Sequence, residues 1–220
     1  KGEKLSHSVL PLSSADESVR RRSVDQSRRT IMAAHELGAG AVVLHMGRIP
    51  LDRRDSLTLV DLLENEQKDT PRYRRLLNRL RKKRDRKKDV YLDKALQSLK
   101  ELIPTGEKLG IKLGLETRYY PEEIPSLEEI GSLIKETGSP AVGYWHDLGH
   151  AQFKENLGWE DHRRFLDEYG EYLVGMHIHD IVLSRDHKAP LRGEFDFEIS
   201  GDYMRKNIPL VFEIHPSATE

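Results

Sequence analysis

Short runs of β-branched and apolar residues alternate with longer amphipathic stretches along this 220-residue chain, and that alternation constrains the fold more than any other feature. Strands separated by helix-length segments pair in parallel, with the intervening helices covering the sheet. The runs that read as strands are Lys4–Leu10, Ala41–Met46, Ile111–Thr117, Ala141–His146, Leu173–His179 and Leu210–His215. Between the first two, Ser14–Leu37 places Val19, Val24, Ile31 and Ala34 on one helical face, with Ser13 or Ser14 as the expected N-cap and Gly38 as the C-cap. Asp89–Leu109, Leu127–Glu136 and Trp159–Tyr169 read as further helices.

The expected architecture is α/β, a (β/α)8 TIM barrel. Six strands are two short of closure and no helix pattern follows the last one, so the expectation is a partial barrel lacking two leading βα units and the final helix. Residues 1–220 form a single domain in this reading, with a basic helical excursion at about 48–90. Its densest part, residues 71–88, carries eleven Lys or Arg against one Asp. A solvated helix explains such a run, and a phosphate-facing lid is the functional alternative. Tyr73 is its one aromatic residue, which gives little support for base stacking.

Composition removes several classes. Apolar residues make up 37% and charged residues 33%, and no apolar run approaches the roughly 20 residues of a membrane span. The net charge of −1 gives no global pull toward nucleic acid or acidic lipid. With no cysteine there is neither a disulfide framework nor a thiolate site, so a metal must use imidazoles and carboxylates. A cytoplasmic location is expected, although the chain opens at Lys1 rather than at a methionine.

The chemistry-bearing residues sit at strand ends. His7 lies in KLSHSVL, His45 ends AVVLHMG, Glu116 ends KLGLETR, Asp147 and His150 close VGYWHDLGH, His177 and His179 end VGMHIHD, and Glu213 lies in LVFEIHP. In a (β/α)8 barrel the C-terminal strand ends converge on one mouth. A lone His there is more often a hydrogen-bonded structural residue than a ligand, and Asp147 is placed to cap the next helix. Recurrence on strand after strand decides for a site, since buried ionisable groups are costly without partners. Glu116, Asp147, His177 and Glu213 form an oxygen-rich set suited to Mn2+, with Mg2+ or Co2+ as alternatives. Adding His7, His45, His150 and His187 makes the mouth nitrogen-rich and favours zinc.

These motifs, in this order and spacing, resemble the xylose isomerase-like TIM-barrel superfamily, which includes sugar isomerases, tagatose and psicose 3-epimerases, inosose dehydratases and endonuclease-IV-type AP nucleases. WHDLGHA followed by MHIHD is most similar to its sugar phosphate isomerase/epimerase branch. The resemblance implies that Glu116, Asp147, His177 and Glu213 hold a divalent metal, with Glu116 and Glu213 doubling as the catalytic acid/base pair. It implies substrate binding or additional metal for His150, and for His7, His45, Asp186 and His187 near the remaining nuclease ligand positions. Asp186 and His187 are adjacent here, whereas the nuclease pattern separates them by one residue, and the basic excursion also departs from it.

The chemistry fits the residues. Moving a proton beside a carbonyl requires a base, a returning acid and positive charge to stabilise an enediolate. The expected activity is therefore a metal-dependent sugar or sugar-phosphate isomerase or epimerase. The alternatives are an endonuclease-IV-like zinc phosphodiesterase acting on abasic DNA, an inosose-dehydratase-type lyase, and a barrel that has lost catalysis and serves as a binding protein. Expected partners are a small sugar or sugar phosphate and a second copy of the chain, with nucleic acid only under the phosphodiesterase reading and no membrane. Arg118, Arg185, Lys188 and Arg192 lie near strand ends where a phosphate could be gripped, and Tyr119, Tyr120 and Trp145 are candidates to stack on a sugar ring.

Overall fold

The computed structural model describes residues 10–215. Five strands, β1 (Ala41–Leu44), β2 (Lys112–Glu116), β3 (Val142–Asp147), β4 (Leu173–Ile178) and β5 (Leu210–Phe212), are hydrogen-bonded in that order, every pair parallel. Unbroken sequence order is the topology of a curling (β/α) arc, not of a doubly wound sheet whose order reverses at a switch point. The sheet is such an arc, part of a TIM barrel. Of the six expected strands, Lys4–Leu10 lies outside the described residues except for Leu10, His7 among those outside, and the other five are present.

The helices are α1 (Glu17–Glu36), α2 (Arg54–Glu64), α3 (Pro71–Asp85), α4 (Lys88–Leu109), α5 (Leu127–Thr137), α6 (Leu148–Asn156), α7 (His162–Tyr169) and the short α8 (Gly201–Met204). The N-cap of α1 is Asp16 and not Ser13 or Ser14. Its carboxylate accepts from the amides of Ser18 and Val19, while Ser14 Oγ accepts from Asp16 N. A carboxylate at the positive end of the helix outcompetes a neutral hydroxyl. The helix expected from Trp159 starts at His162, because the Asp161 side chain caps the Arg164 amide and fixes the start there. Ser126 and Glu129 form a capping box on α5.

The excursion is folded and not merely solvated. On α3, Tyr73, Leu76 and Leu80 recur at helical spacing and bury against Leu59, Leu62 and Leu63 of α2 and against Phe153, Leu157 and Ile181. Each such side chain contributes about 1.5–3 kcal/mol on burial, enough to order a helix of this charge. Several of its cations are also tied down by anions. Arg84 is 4% exposed and grips both oxygens of Glu129 at 2.6 and 2.8 Å, while Arg79 and Lys83 share Asp55.

Strand register decides which residues reach the mouth. Trp145 pairs with Gly175 and Asp147 with His177, so these face the barrel interior together. Trp145 fills the interior below the mouth because Gly175 leaves room: a Cβ there would lie 2.1 Å from the indole. Tyr144 and His146 alternate to the other face, where Tyr144 packs with Ile130, Phe165 and Tyr169 under the helices.

Candidate metal centre

Four strand ends deliver one donor each. Glu116 closes β2, Asp147 closes β3, His177 lies on β4 and Glu213 follows β5. One ligand-type atom from each lies within 4.8 Å of all the others. His177 Nδ1 is the hub, 3.0 Å from Glu116 Oε1, 3.2 Å from Asp147 Oδ2 and 3.0 Å from Glu213 Oε2. A single N–H cannot satisfy three carboxylates, so the site has acceptors to spare and a deficit of positive charge. Three hard oxygens and one imidazole nitrogen are a donor set that fits a divalent cation.

The protonation pattern follows from that deficit. Burial lowers the His177 imidazole, but hydrogen bonds to Asp147 and Glu116 outweigh it and raise the group to about 10. The imidazolium thus occupies the electrostatic role a cation would take. Burial pushes the Glu116 carboxyl up, yet the Arg118 guanidinium and the His177 and His45 imidazoles hold it well below the carboxylate range. Asp147 behaves alike: burial is opposed and overcome by His150, His179 and His177. For Glu213 the neighbouring His187 imidazole leads, and the net direction is again down. All three carboxylates are held as anions at neutral pH.

A second circle orients the first. His45 Nε2 lies 2.9 Å from Glu116 Oε2, and Arg118 donates to the same oxygen, leaving Oε1 for the hub. The His179 ring donates from Nε2 to Asp147 Oδ1 at 2.9 Å, and its Nδ1 accepts the His187 amide at 2.9 Å. Gly149 makes that ring position accessible, since a Cβ there would lie 2.1 Å from His179 Cε1. Asp147 Oδ1 also accepts the His150 amide at 2.8 Å, so the residue caps α6 and keeps Oδ2 for the hub. His187 stacks on His179 with centroids 4.4 Å apart. It binds Asp186 at 3.0 Å and reaches toward Glu213 at 3.7 Å; these partners, Asp186 first, raise it to about 10 against the effect of burial.

The structure therefore gathers Glu116, Asp147, His177, Glu213, His45, His150, Asp186 and His187 at one mouth, while His7 lies outside the described residues. Arg185 is not brought in: it is exposed and turned toward Glu64 of α2. Arg118 enters as the charge partner of Glu116 and Glu123, Trp145 as core, and Tyr119 as a ring stacked on Phe153. His150, His179 and His187 also cluster within 4.8 Å. Sequence reasoning noted His179 as a strand-end histidine without giving it a role. The signal is its place two residues after His177, which continues the same face just past the end of β4.

The sequence profile of the xylose isomerase-like TIM barrel family matches residues 4–207, and the chain belongs to that family. The protein MJ1311 of Methanocaldococcus jannaschii is 26% identical over 175 residues, which are 79% of this chain and 48% of that protein. Among solved structures, an L-ribulose 3-epimerase superposes with a TM-score of 0.68 at 18% identity, covering 96% of this chain and 60% of that one. The IolI protein, solved with a bound zinc atom, gives 0.65 at 13% identity, covering 96% and 66%. The chain thus spans about half the length of the curated relative and three fifths of the epimerase. At these identities the structural likeness is one of fold.

Proposed function

We propose that Glu116, Asp147, His177 and Glu213 hold one divalent cation, Mn2+ in the first instance, and that the protein isomerises or epimerises a sugar or sugar phosphate by moving a proton next to a carbonyl. The observation that carries this reading is the hub geometry: three carboxylate oxygens at 3.0–3.2 Å from one imidazole nitrogen, with acceptors in excess. The epimerase fold of a structural relative is compatible with it. When bound, the cation supplies the positive charge that a developing enediolate needs.

The protein's own residues divide the remaining work. Glu116 is 1% exposed and clamped by Arg118 and His45, so it is a fixed anion on one side of the mouth. Glu213 is 46% exposed in its side chain and held by fewer contacts than Glu116, which leaves it free to take and return a proton. His150 Nε2 and His187 face the same space and offer hydrogen bonds to substrate hydroxyls. Burial of Glu116 and Asp147 excludes water from the side of the mouth where charge must be concentrated.

The zinc phosphodiesterase alternative needs additional metal-binding nitrogens, and the His150, His179 and His187 cluster is where they would lie. His179 has both ring nitrogens engaged, one to Asp147 and one from the His187 amide, which argues against its acting as a ligand. Calorimetric titration with Mn2+, combined with a deuterium-exchange screen of free and phosphorylated ketoses and aldoses, tests the proposal. One ion per chain and metal-dependent C–H exchange are expected. About three zincs per chain with cleavage of abasic DNA would replace this reading with the nuclease one.

A further inference from the structure

Behind the mouth, on the helix-covered face of the sheet, runs a buried chain of hydrogen bonds that the proposed chemistry does not use. Thr117 Oγ1 meets Tyr144 Oη, Tyr144 Oη meets His146 Nδ1 at 2.5 Å, and His146 Nε2 meets His162 Nε2 at 3.0 Å. His162 Nδ1 then meets Gln152 Oε1 at 3.0 Å, Gln152 Nε2 donates to Asn156 Oδ1 at 3.0 Å, and Asn156 Nδ2 donates to Leu183 O and Glu194 Oε1, both at 2.9 Å. Thr117, Tyr144, His146 and His162 are all fully buried.

The direction of every proton follows from the outer end. A backbone carbonyl and a carboxylate can only accept, so Asn156 presents its amide nitrogen to them and its oxygen to Gln152. Gln152 must then donate to Asn156 and accept from His162. His162 carries its proton on Nδ1 and accepts at Nε2, His146 donates from Nε2 and accepts at Nδ1, and Tyr144 donates to His146 and accepts from Thr117. Each member is satisfied in this one direction, and reversal would leave Asn156 oxygen facing two acceptors. Burial, which drives His146 down to about 3 and His162 well below its ordinary value, agrees with two neutral rings.

The chain ties together two elements that flank one mouth residue. Its inner end is Thr117, whose backbone oxygen accepts from His150 Nδ1 at 3.0 Å. Its outer part is Gln152 and Asn156 on α6, the helix that carries His150 in its first turn. Asp147 Oδ2, at 3.3 Å, is the other acceptor near His150 Nδ1, but that oxygen belongs to the hub. The Thr117 carbonyl is the acceptor that stays, and His150 Nε2 is left facing the mouth, 3.6 Å from Asp186.

We propose that Thr117, Tyr144, His146 and His162 are positioning residues for His150: the chain locks the end of β2 to α6, so that His150 spends Nδ1–H on Thr117 and presents Nε2 alone to the substrate. The clause about substrate rests on the functional reading above; the geometry of the ring does not.

Nitrogen-15 imidazole spectroscopy at pH 8 in the presence of Mg2+ reads the device directly. The expected spectrum has His146 protonated on Nε2, His162 on Nδ1, and a His150 Nδ1–H that exchanges slowly with solvent. In Tyr144→Phe that exchange should speed up by about 10-fold or more, and kcat/KM for whatever sugar the native protein accepts should fall by about 10-fold, chiefly through a raised KM, the scale typical of outer partners. Thr117→Val should act in the same direction and serves if Tyr144→Phe fails to fold, while Thr117→Ser keeps the hydroxyl and should match the native protein. Opposite tautomers at His146 or His162, or a His150 exchange rate within twofold of native in a folded Tyr144→Phe or Thr117→Val variant, would overturn the proposal. If the native protein turns over no sugar, the functional reading fails while the spectroscopic outcomes still decide this one.

Discussion

Two regions of this protein are dense in charge, and they solve opposite problems. In the basic helix α3, the cations that form ion pairs are balanced by anions of the fold: Arg84 takes Glu129, and Arg79 and Lys83 share Asp55. At the mouth, three carboxylates converge on one imidazole nitrogen, whose single N–H they must share. The first pattern is a closed account that holds an excursion to the barrel. The second is an electrostatic shortfall that binding can fill. Charge density alone does not mark a site; several anions sharing one proton do.

The largest effect should come from the open region. Glu213→Gln removes one anion and the most exposed proton acceptor while keeping the shape of the side chain. Turnover should become undetectable, with Mn2+ still bound more weakly by the remaining three donors. Retained turnover above about 10% of native would show that Glu213 does not handle the proton and would break the contrast between it and the clamped Glu116.

In the closed region the loss should fall on stability. Arg84→Ala strands Glu129 in a buried pocket, and removing one partner of a buried pair costs about 3–5 kcal/mol. Chemical denaturation should show this, while the Mn2+ dissociation constant of the still-folded fraction stays within about twofold. A large change in metal affinity with little change in stability would mean that α3 belongs to the mouth after all.

The unmet charge also predicts a pH signature. His177 rises from an ordinary 6.5 to about 10 in the folded protein, so its contribution to stability is complete below about 6.5 and disappears as pH climbs through 10. Metal-stripped protein should therefore lose stability between pH 7 and 10. Adding Mn2+ should remove the His177 share of that slope, because a ligating imidazole carries no proton on the bound nitrogen, and loading at pH 8 should release about one proton per ion. His187, raised by Asp186 and Glu213, keeps a residual slope in both states. Identical slopes with and without metal would detach His177 from the cation site.

Much of the mouth was legible because strand ends combine two readable signals, a short apolar run and a ligand-type residue at its end. Glu116, Asp147, His177 and Glu213 stood out on those grounds, and their convergence needed only the parallel order of the strands. What was hidden depended on face and on partner choice. Tyr144 and His146 alternate with Trp145 and Asp147, and sequence alone does not say that His162, from a helix sixteen residues on, completes their chain. Arg185 looked as suitable as Arg118, yet one turns to Glu64 and the other to Glu116. In α3 the basic run masked the spacing of Tyr73, Leu76 and Leu80, the apolar face that explains why it packs.

The smallest effect sharpens the same comparison. Arg72, Arg75 and Lys82 lie on α3, are exposed, and among the described residues carry neither an ion pair nor a side-chain hydrogen bond. They are the part of the basic helix that does fit the solvated reading. Surface substitutions away from packed features stay within about 0.5 kcal/mol, so replacing all three with Ser should leave both thermal stability and Mn2+ affinity close to native. Exposed cations act at range only through a field that salt screens within about 8 Å at physiological ionic strength. Kinetics on paired substrates, one phosphorylated and one not, at low and physiological salt therefore separate the two roles left for them. Unchanged KM for both is the expected result. A KM raised for the phosphorylated partner alone, most at low salt, would make this stripe a phosphate-steering lid, a cationic approach to the anionic mouth.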